Sequence, residues 1–188
     1  MTRIAPLPRA AITDPELARL VAEGEALGVP DDLFPRLLAR SPDHAVPVMR
    51  ALIHSHAEGN VDHRLKEVVR ILLARFAGDR YFAALRSEKA KAMGLDEARI
   101  EAGCGDYEES DLFTPAEKCA LRYADQMFLD PSKIDAAFYD ELKSHYTEAQ
   151  VMELGAFVAF HYGMQMFMRS LGAAAPRGGA ASSGAASG

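Results

Sequence analysis

Residues Asp62–Gly94 read DHRLKEVVRILLARFAGDRYFAALRSEKAKAMG. Val68, Val69, Leu72 and Leu73 recur at helical spacing and put an apolar stripe on a first helix. Gly78-Asp79 separates it from a second helix over Arg80–Met93, for which Asp79 is a suitable N-cap and Gly94 a suitable stop. Glu67 lies one residue from the stripe, so its side chain is expected to point into or beside the core. An unpaired carboxylate is costly to bury. Burial would raise its pKa and make it a usable proton donor or acceptor near neutral pH. The alternative is a salt bridge to Arg70 or Arg86.

The rest of the chain reads the same way. Upstream, Met1 to Ile12 is an irregular arm, and Thr13-Asp14-Pro15 opens a helix that stops at Gly28. Asp31-Asp32 opens a short helix through Leu38, and Ser41-Pro42 opens another to about Glu58 before a Gly59-Asn60 turn. Downstream, Asp96 caps a short helix ending at Gly103, and an acidic loop follows to Phe113. Thr114-Pro115-Ala116-Glu117 and Thr147-Glu148-Ala149-Gln150 are capping boxes. The first starts a helix to Leu129. The second starts the longest helix, to about Leu171, which is apolar on most faces and so belongs in a core or a subunit interface. Between them a helix is expected over Ile134–Tyr146. No strand is expected. The tail from 174 to 188, rich in Ala, Gly and Ser, is expected to be disordered. The expected organisation is an arm over 1–12, one all-helical domain over 13–173, and that tail.

Composition narrows the function classes. The hydrophobic share of 49% is ample for a core in 188 residues. No apolar run approaches a membrane span, and MTRIAPLPRAA has no apolar h-region, so neither membrane insertion nor a secretory signal is expected, and a cytoplasmic location follows. Net charge is −6, with Lys and Arg interspersed among acids, so no nucleic-acid partner is expected. Cys104 and Cys119 are far from CxxC spacing and read as packed thiols. His54 and His56 point to different sides of one helix, and with His44 and His63 they do not form a convergent ligand set, so no metal is expected.

The helix pair of Asp62–Gly94 resembles the carboxymuconolactone decarboxylase and alkylhydroperoxidase D-like superfamily, whose peroxidase members carry Glu-x11-Cys-x2-Cys-x3-His across such a pair. On that frame the glutamate is Glu67, the cysteines fall on Asp79 and Phe82, and the histidine falls on Arg86. Tyr81 matches the tyrosine between the cysteines. The closing HYGMQMFMRSLG, with His161 and Tyr162, is similar to the family's last helix, and Glu153 matches an acidic residue before it. The resemblance covers about residues 62–172. It implies a compact all-α domain of the alkylhydroperoxidase D-like type, here with extra N-terminal helices, and homo-oligomers, often trimers or hexamers.

The frame is present without its redox residues. A thiol peroxidase needs a thiolate nucleophile, and both cysteine positions lack sulfur. The resemblance then implies a cofactor-independent lyase, decarboxylase or isomerase acting on a small organic acid or lactone. Glu67 and His161 would move protons. Arg86 would clamp a carboxylate, Phe82 would wall the pocket, and Tyr81, Asp79 and Tyr162 would touch substrate. The alternative is a non-catalytic small-molecule-binding or scaffold protein that has lost the family's site.

Overall fold

The structure, a computed structural model, describes residues 2–173. The disorder expected of 174–188 lies outside the described residues. Within them the chain forms helices and no strand. In order they are α1 (Pro15–Ala26), α2 (Leu33–Leu38), α3 (Pro42–Ala57), α4 (His63–Phe76), α5 (Arg80–Ala84), α6 (Glu88–Ala92), α7 (Glu97–Gly103), α8 (Pro115–Leu129), α9 (Ala136–His145) and α10 (Glu148–Ser170). The arm is irregular apart from a 3-10 turn at Arg9–Ala11, and the Arg3 N–H donates to the Leu171 carbonyl at 2.7 Å.

Capping side chains set most of the helix starts. Asp14, Asp62, Asp79, Asp96 and Asp135 each accept a backbone N–H of the first turn. Both predicted capping boxes close, Thr114 with Glu117 and Thr147 with Gln150. Ser41 differs from expectation. Its hydroxyl bonds His44 Nδ1 at 2.9 Å and no side-chain cap forms. Gly78 supplies the left-handed residue (φ 62°) that turns α4 into α5.

Two apolar clusters form the interior. One joins α4, α8 and the first half of α10 through residues such as Val68, Leu72, Leu121, Leu154 and Phe157. The other joins α1, α2, α3, α5 and the end of α10 through Leu17, Phe34, Met49, Phe82 and Met168. Helix α4 is the shared wall: Leu65, Val68, Val69, Ile71, Leu72 and Leu73 are all essentially inaccessible. Each is worth about 1.5–3 kcal/mol of burial before entropy is counted. Helix α10 was expected to be apolar on most faces. Val151, Leu154, Phe157, Val158, Met164 and Met168 face inward, while Met152, Met166 and Phe167 remain exposed. No helix among the described residues is long and apolar enough to cross a membrane.

The single helix expected over Arg80–Met93 is instead two short ones, α5 and α6, separated at Leu85–Ser87. Leu85 is extended (φ −75°, ψ 148°) and Ser87 starts α6 by accepting the Ala90 N–H. Helical propensity favours continuity there. The break is held instead by tertiary hydrogen bonds from α4, which belong to the site.

Candidate functional site

Between the two clusters lies a band of buried polar side chains. Glu67 and Arg70, one turn apart on α4, form a two-pronged ion pair with Nε···Oε2 2.8 Å and Nη2···Oε1 2.7 Å. Both are shut away from solvent. Arg70 also donates to the carbonyls of Phe82 (2.7 Å) and Leu85 (2.8 Å), and Glu67 accepts the Ser87 N–H at 2.9 Å. The pair therefore takes up the backbone groups released where α5 ends and α6 begins. This corrects the expectation of a raised Glu67 pKa. Burial does push it upward, but the charge and hydrogen bonds of Arg70 outweigh that and hold the carboxyl below its ordinary value.

Three histidines continue the band. The His63 Nδ1 atom faces the His56 carbonyl at 2.9 Å, which can only accept, so Nδ1 carries the proton. His63 Nε2 then accepts from the Ser87 hydroxyl at 3.0 Å. The His56 ring stands edge-on to His63 (centroids 4.9 Å) and lies 5.9 Å from the ring of His161. His161 packs against Phe157 at 4.1 Å and Phe160 at 5.5 Å. His56 and His161 are each 1% exposed, and none of their four ring nitrogens has a hydrogen-bond partner. Burial, opposed by Glu67 and reinforced by Arg70, His63 and Lys66, pushes His56 down to about 3. Burial, with His56, Arg70 and Lys66, holds His161 well below its ordinary value. Both imidazoles are neutral at physiological pH.

The remaining predicted residues divide. Asp79 Oδ1 caps α5 through the N–H groups of Tyr81 (2.8 Å) and Phe82 (3.1 Å), and Oδ2 is buried without a partner. The Tyr81 hydroxyl donates to Asp31 Oδ1 at 2.6 Å. Burial lifts the Asp31 carboxyl to about 6 against that hydrogen bond. Phe82 is buried edge-on to Tyr81. Arg86 departs from the expected clamp. Its fork grips Glu97 at 2.7 and 3.0 Å near the surface, and Nη1 donates to the Ala83 and Leu85 carbonyls. Tyr162 is half-buried and packs on Phe128 at 5.2 Å, in the cluster of α8. The Cys104 and Cys119 thiols are both pushed up by burial to about 11, so neither is a ready thiolate. Among the described residues no group of three His, Cys, Asp or Glu side chains is placed to hold a metal.

Arg70, His56, His63, Ser87 and Asp31 carried no site role in the sequence reading. Some signal was there. Arg70 follows Glu67 at helical spacing, and His56 falls four residues after Leu52 and seven after Met49, on the inward face of α3.

No protein-family model matches the sequence. A relative, the uncharacterized protein YdfG of Bacillus subtilis (strain 168), is 26% identical over 98 residues. That stretch is 52% of this chain and 66% of that protein, just under two thirds of its length. The backbone is more informative. It superposes on the debrominase Bmp8, solved as a cysteine-to-alanine variant in complex with 2,3,4-tribromopyrrole, with TM-score 0.79 and 21% identity, covering 94% of this chain and 93% of that one. It also superposes on an uncharacterized peroxidase-related protein with the alkylhydroperoxidase AhpD core from Ralstonia eutropha JMP134, with TM-score 0.75 and 14% identity, covering 93% and 92%. This chain has the alkylhydroperoxidase D-like fold. Within that fold, helices α1–α3 at the N-terminus pack over the end of α10, and Asp79 and Phe82 occupy the turn in which the resemblance places two cysteines.

Two outcomes follow. Glu67→Gln leaves Arg70 charged, buried and without its counter-ion, so urea unfolding should show a loss of about 3–5 kcal/mol; a loss under about 1 kcal/mol would mean the pair does not hold the α5–α6 break. The second concerns pH. The folded-state pKa of His56 and His161 lies below the ordinary value of 6.5, so the unfolded chain takes up protons first. Their contribution is intact above about pH 6.5 and declines as pH falls towards 3. Asp31, raised to about 6, acts in the opposite sense: its contribution is present below its ordinary value and is lost as pH rises through 6. Urea unfolding of His161→Gln between pH 4 and 8 should therefore show a shallower acid decline than wild type; equal slopes would contradict a neutral buried His161.

Proposed function

We propose that this protein is a cofactor-independent acid–base enzyme of the isomerase or lyase kind, that His56 and His161 are its proton-transferring pair, and that it acts on a small uncharged carbonyl compound such as a lactone. The observation that carries this reading is the four unpartnered ring nitrogens of two adjoining buried imidazoles. Buried polar groups are nearly always hydrogen-bonded, so four such atoms side by side favour a polar guest. A neutral imidazole offers one acceptor and one donor. One ring can take a proton from carbon beside a carbonyl while the other donates to the oxygen on which negative charge develops.

Glu67, first read as a proton carrier, becomes a positioning residue. It orients Arg70 and Ser87, and through Ser87 it connects to His63. The cations nearest the band are all bonded within the protein: Arg70 to Glu67, Lys66 to Glu153 and Arg86 to Glu97, while the Lys89 ammonium donates to the Ala57 carbonyl at 2.9 Å. A carboxylate substrate would have to displace a protein oxygen from whichever of them it met. This supports an uncharged substrate and disfavours decarboxylation, which requires a carboxylate. The pyrrole bound by the structural relative is also a small uncharged ring with one N–H.

One observation favours a second reading, a non-catalytic small-molecule-binding or scaffold protein: both Glu67 oxygens are taken by Arg70 and Ser87. A panel of lactones and keto compounds followed by NMR in deuterated water separates the two. Wild type should place deuterium beside the carbonyl, and His161→Gln should lose about a hundredfold or more of that rate while keeping its circular dichroism. Line broadening of a panel member without exchange supports the second reading, and unchanged exchange in the variant overturns the role of His161.

A cytoplasmic homo-oligomer, trimer or hexamer, stays part of this proposal. Ile4 and Phe167 are exposed apolar side chains on one shallow surface at the end of α10, and a second copy would cover them. Light scattering should give a multiple of the 20.4 kDa chain; a monomer at working concentration removes this element.

A further inference from the structure

A cavity of about 490 Å3 opens between the end of α3 and the first half of α10. That size falls within the roughly 300–1,000 Å3 of pockets that hold small molecules. Ser55 and Glu58 contribute one wall, and Ala149, Met152, Glu153 and Ala156 the other. The α10 wall is apolar except for Glu153. The Glu153 carboxylate is paired with the Lys66 ammonium at 2.9 Å, and the exposed Glu58 carboxylate is bonded to His54 Nδ1 at 2.7 Å. The Ser55 hydroxyl beside the cavity is buried without a partner.

The cavity is walled by chain neighbours of the imidazole pair. Ser55 precedes His56 on α3, and Ala156 precedes Phe157 on α10. The Lys66 ammonium is 5.9 Å from the centre of the Phe157 ring, and that ring is 4.1 Å from His161. The Phe157 ring thus neighbours both His161 and the Lys66 ammonium, whose partner Glu153 lines the cavity. Glu153 is firmly seated. It accepts the N–H groups of Asn60 (2.7 Å) and Val61 (3.2 Å) as well as Lys66, and its carboxylate fills the space that a side chain on Gly59 (φ +96°) would need.

We propose that this cavity is the outer chamber of the site, the place where an uncharged small molecule with an apolar body is gathered before it reaches His56 and His161, and that the Phe157 ring and the Lys66–Glu153 pair form its floor. The inference rests on the imidazole-pair reading given above. It assigns Ala149, Met152 and Ala156 to substrate selection by size, a role that nothing in the fold requires of them.

Diethyl pyrocarbonate tests it. The reagent is small and uncharged and acylates neutral imidazole nitrogen, and peptide mass spectrometry reads each histidine separately. His44 and His145 are exposed and neither lines the cavity, so they serve as internal controls. Wild type should be labelled at His56 or His161. Ala156→Trp, and independently Ala149→Trp, should slow that labelling by about tenfold or more while His44 and His145 react as before, since reaction at buried groups reports local access. Both alanines are exposed, so neither substitution burdens the core. Equal labelling in wild type and both variants would overturn the chamber while leaving the imidazole pair in place. Absence of label at both buried histidines in wild type, with the controls fully reacted, would overturn it as well. Failure of the imidazole reading itself has a different signature, unchanged deuterium exchange in His161→Gln.

Discussion

The Glu67–Arg70 pair is the constraint on which the interior of this protein depends. Two charges one turn apart on α4 are removed from water, and their mutual attraction alone does not offset the loss of hydration. The additional hydrogen bonds decide the balance. Arg70 makes four, two to Glu67 and two to the carbonyls of Phe82 and Leu85, and Glu67 accepts a further one from the Ser87 N–H. The backbone between α5 and α6 leaves helical geometry because these partners are better placed than the helix's own. Ser87 is thereby set where its hydroxyl meets His63, and His63 in turn bonds the carbonyl of His56. One ion pair on one helix fixes the loop, the serine and the first of three histidines.

The polar band lies where two apolar clusters meet, and this position explains its character. Water is excluded on both sides, so each group must find a protein partner or remain unsatisfied. Glu67, Arg70, Lys66 and His63 find partners. His56 and His161 do not, and His161 packs against the Phe157 and Phe160 rings of α10. A core selected only for stability would fill such positions with hydrocarbon, because an unpaired buried polar group is costly. The contrast between satisfied and unsatisfied members of one band is the ground on which His56 and His161 are proposed as the reactive groups and Glu67 as support.

The alkylhydroperoxidase D-like fold accommodates different residues at this turn, and this chain illustrates how. The turn at Asp79–Phe82 is held by an aspartate that caps α5 and a phenylalanine buried in the second cluster. Sulfur chemistry is absent from that turn. The chain's own thiols lie elsewhere and are pushed away from the thiolate by burial. Function on a fold resides in the site grafted onto it, and the site proposed here lies on the facing surfaces of α3 and α10 instead of at that turn.

The amino-acid sequence alone determined the helices, most of their ends and the buried stripe of α4. Those features depend on spacing, caps and glycines that act within a few residues: the two capping boxes, Asp79 at the start of α5, and Gly78 before it. It also singled out Glu67, because a carboxylate beside an apolar stripe is legible locally. Tertiary structure decided what Glu67 does. Spacing along α4 puts Arg70 within reach of Glu67, but whether the pKa rises or falls depends on how burial balances against the bonds from Arg70 and Ser87, and that balance is settled by where α5 and α6 pack. The same holds for the break at Leu85–Ser87, for Arg86 turning to Glu97, and for the meeting of His56 with His161. These two histidines are more than a hundred residues apart in the chain, and only the packing of α3 against α10 brings their rings together, in surroundings dry enough to keep both neutral.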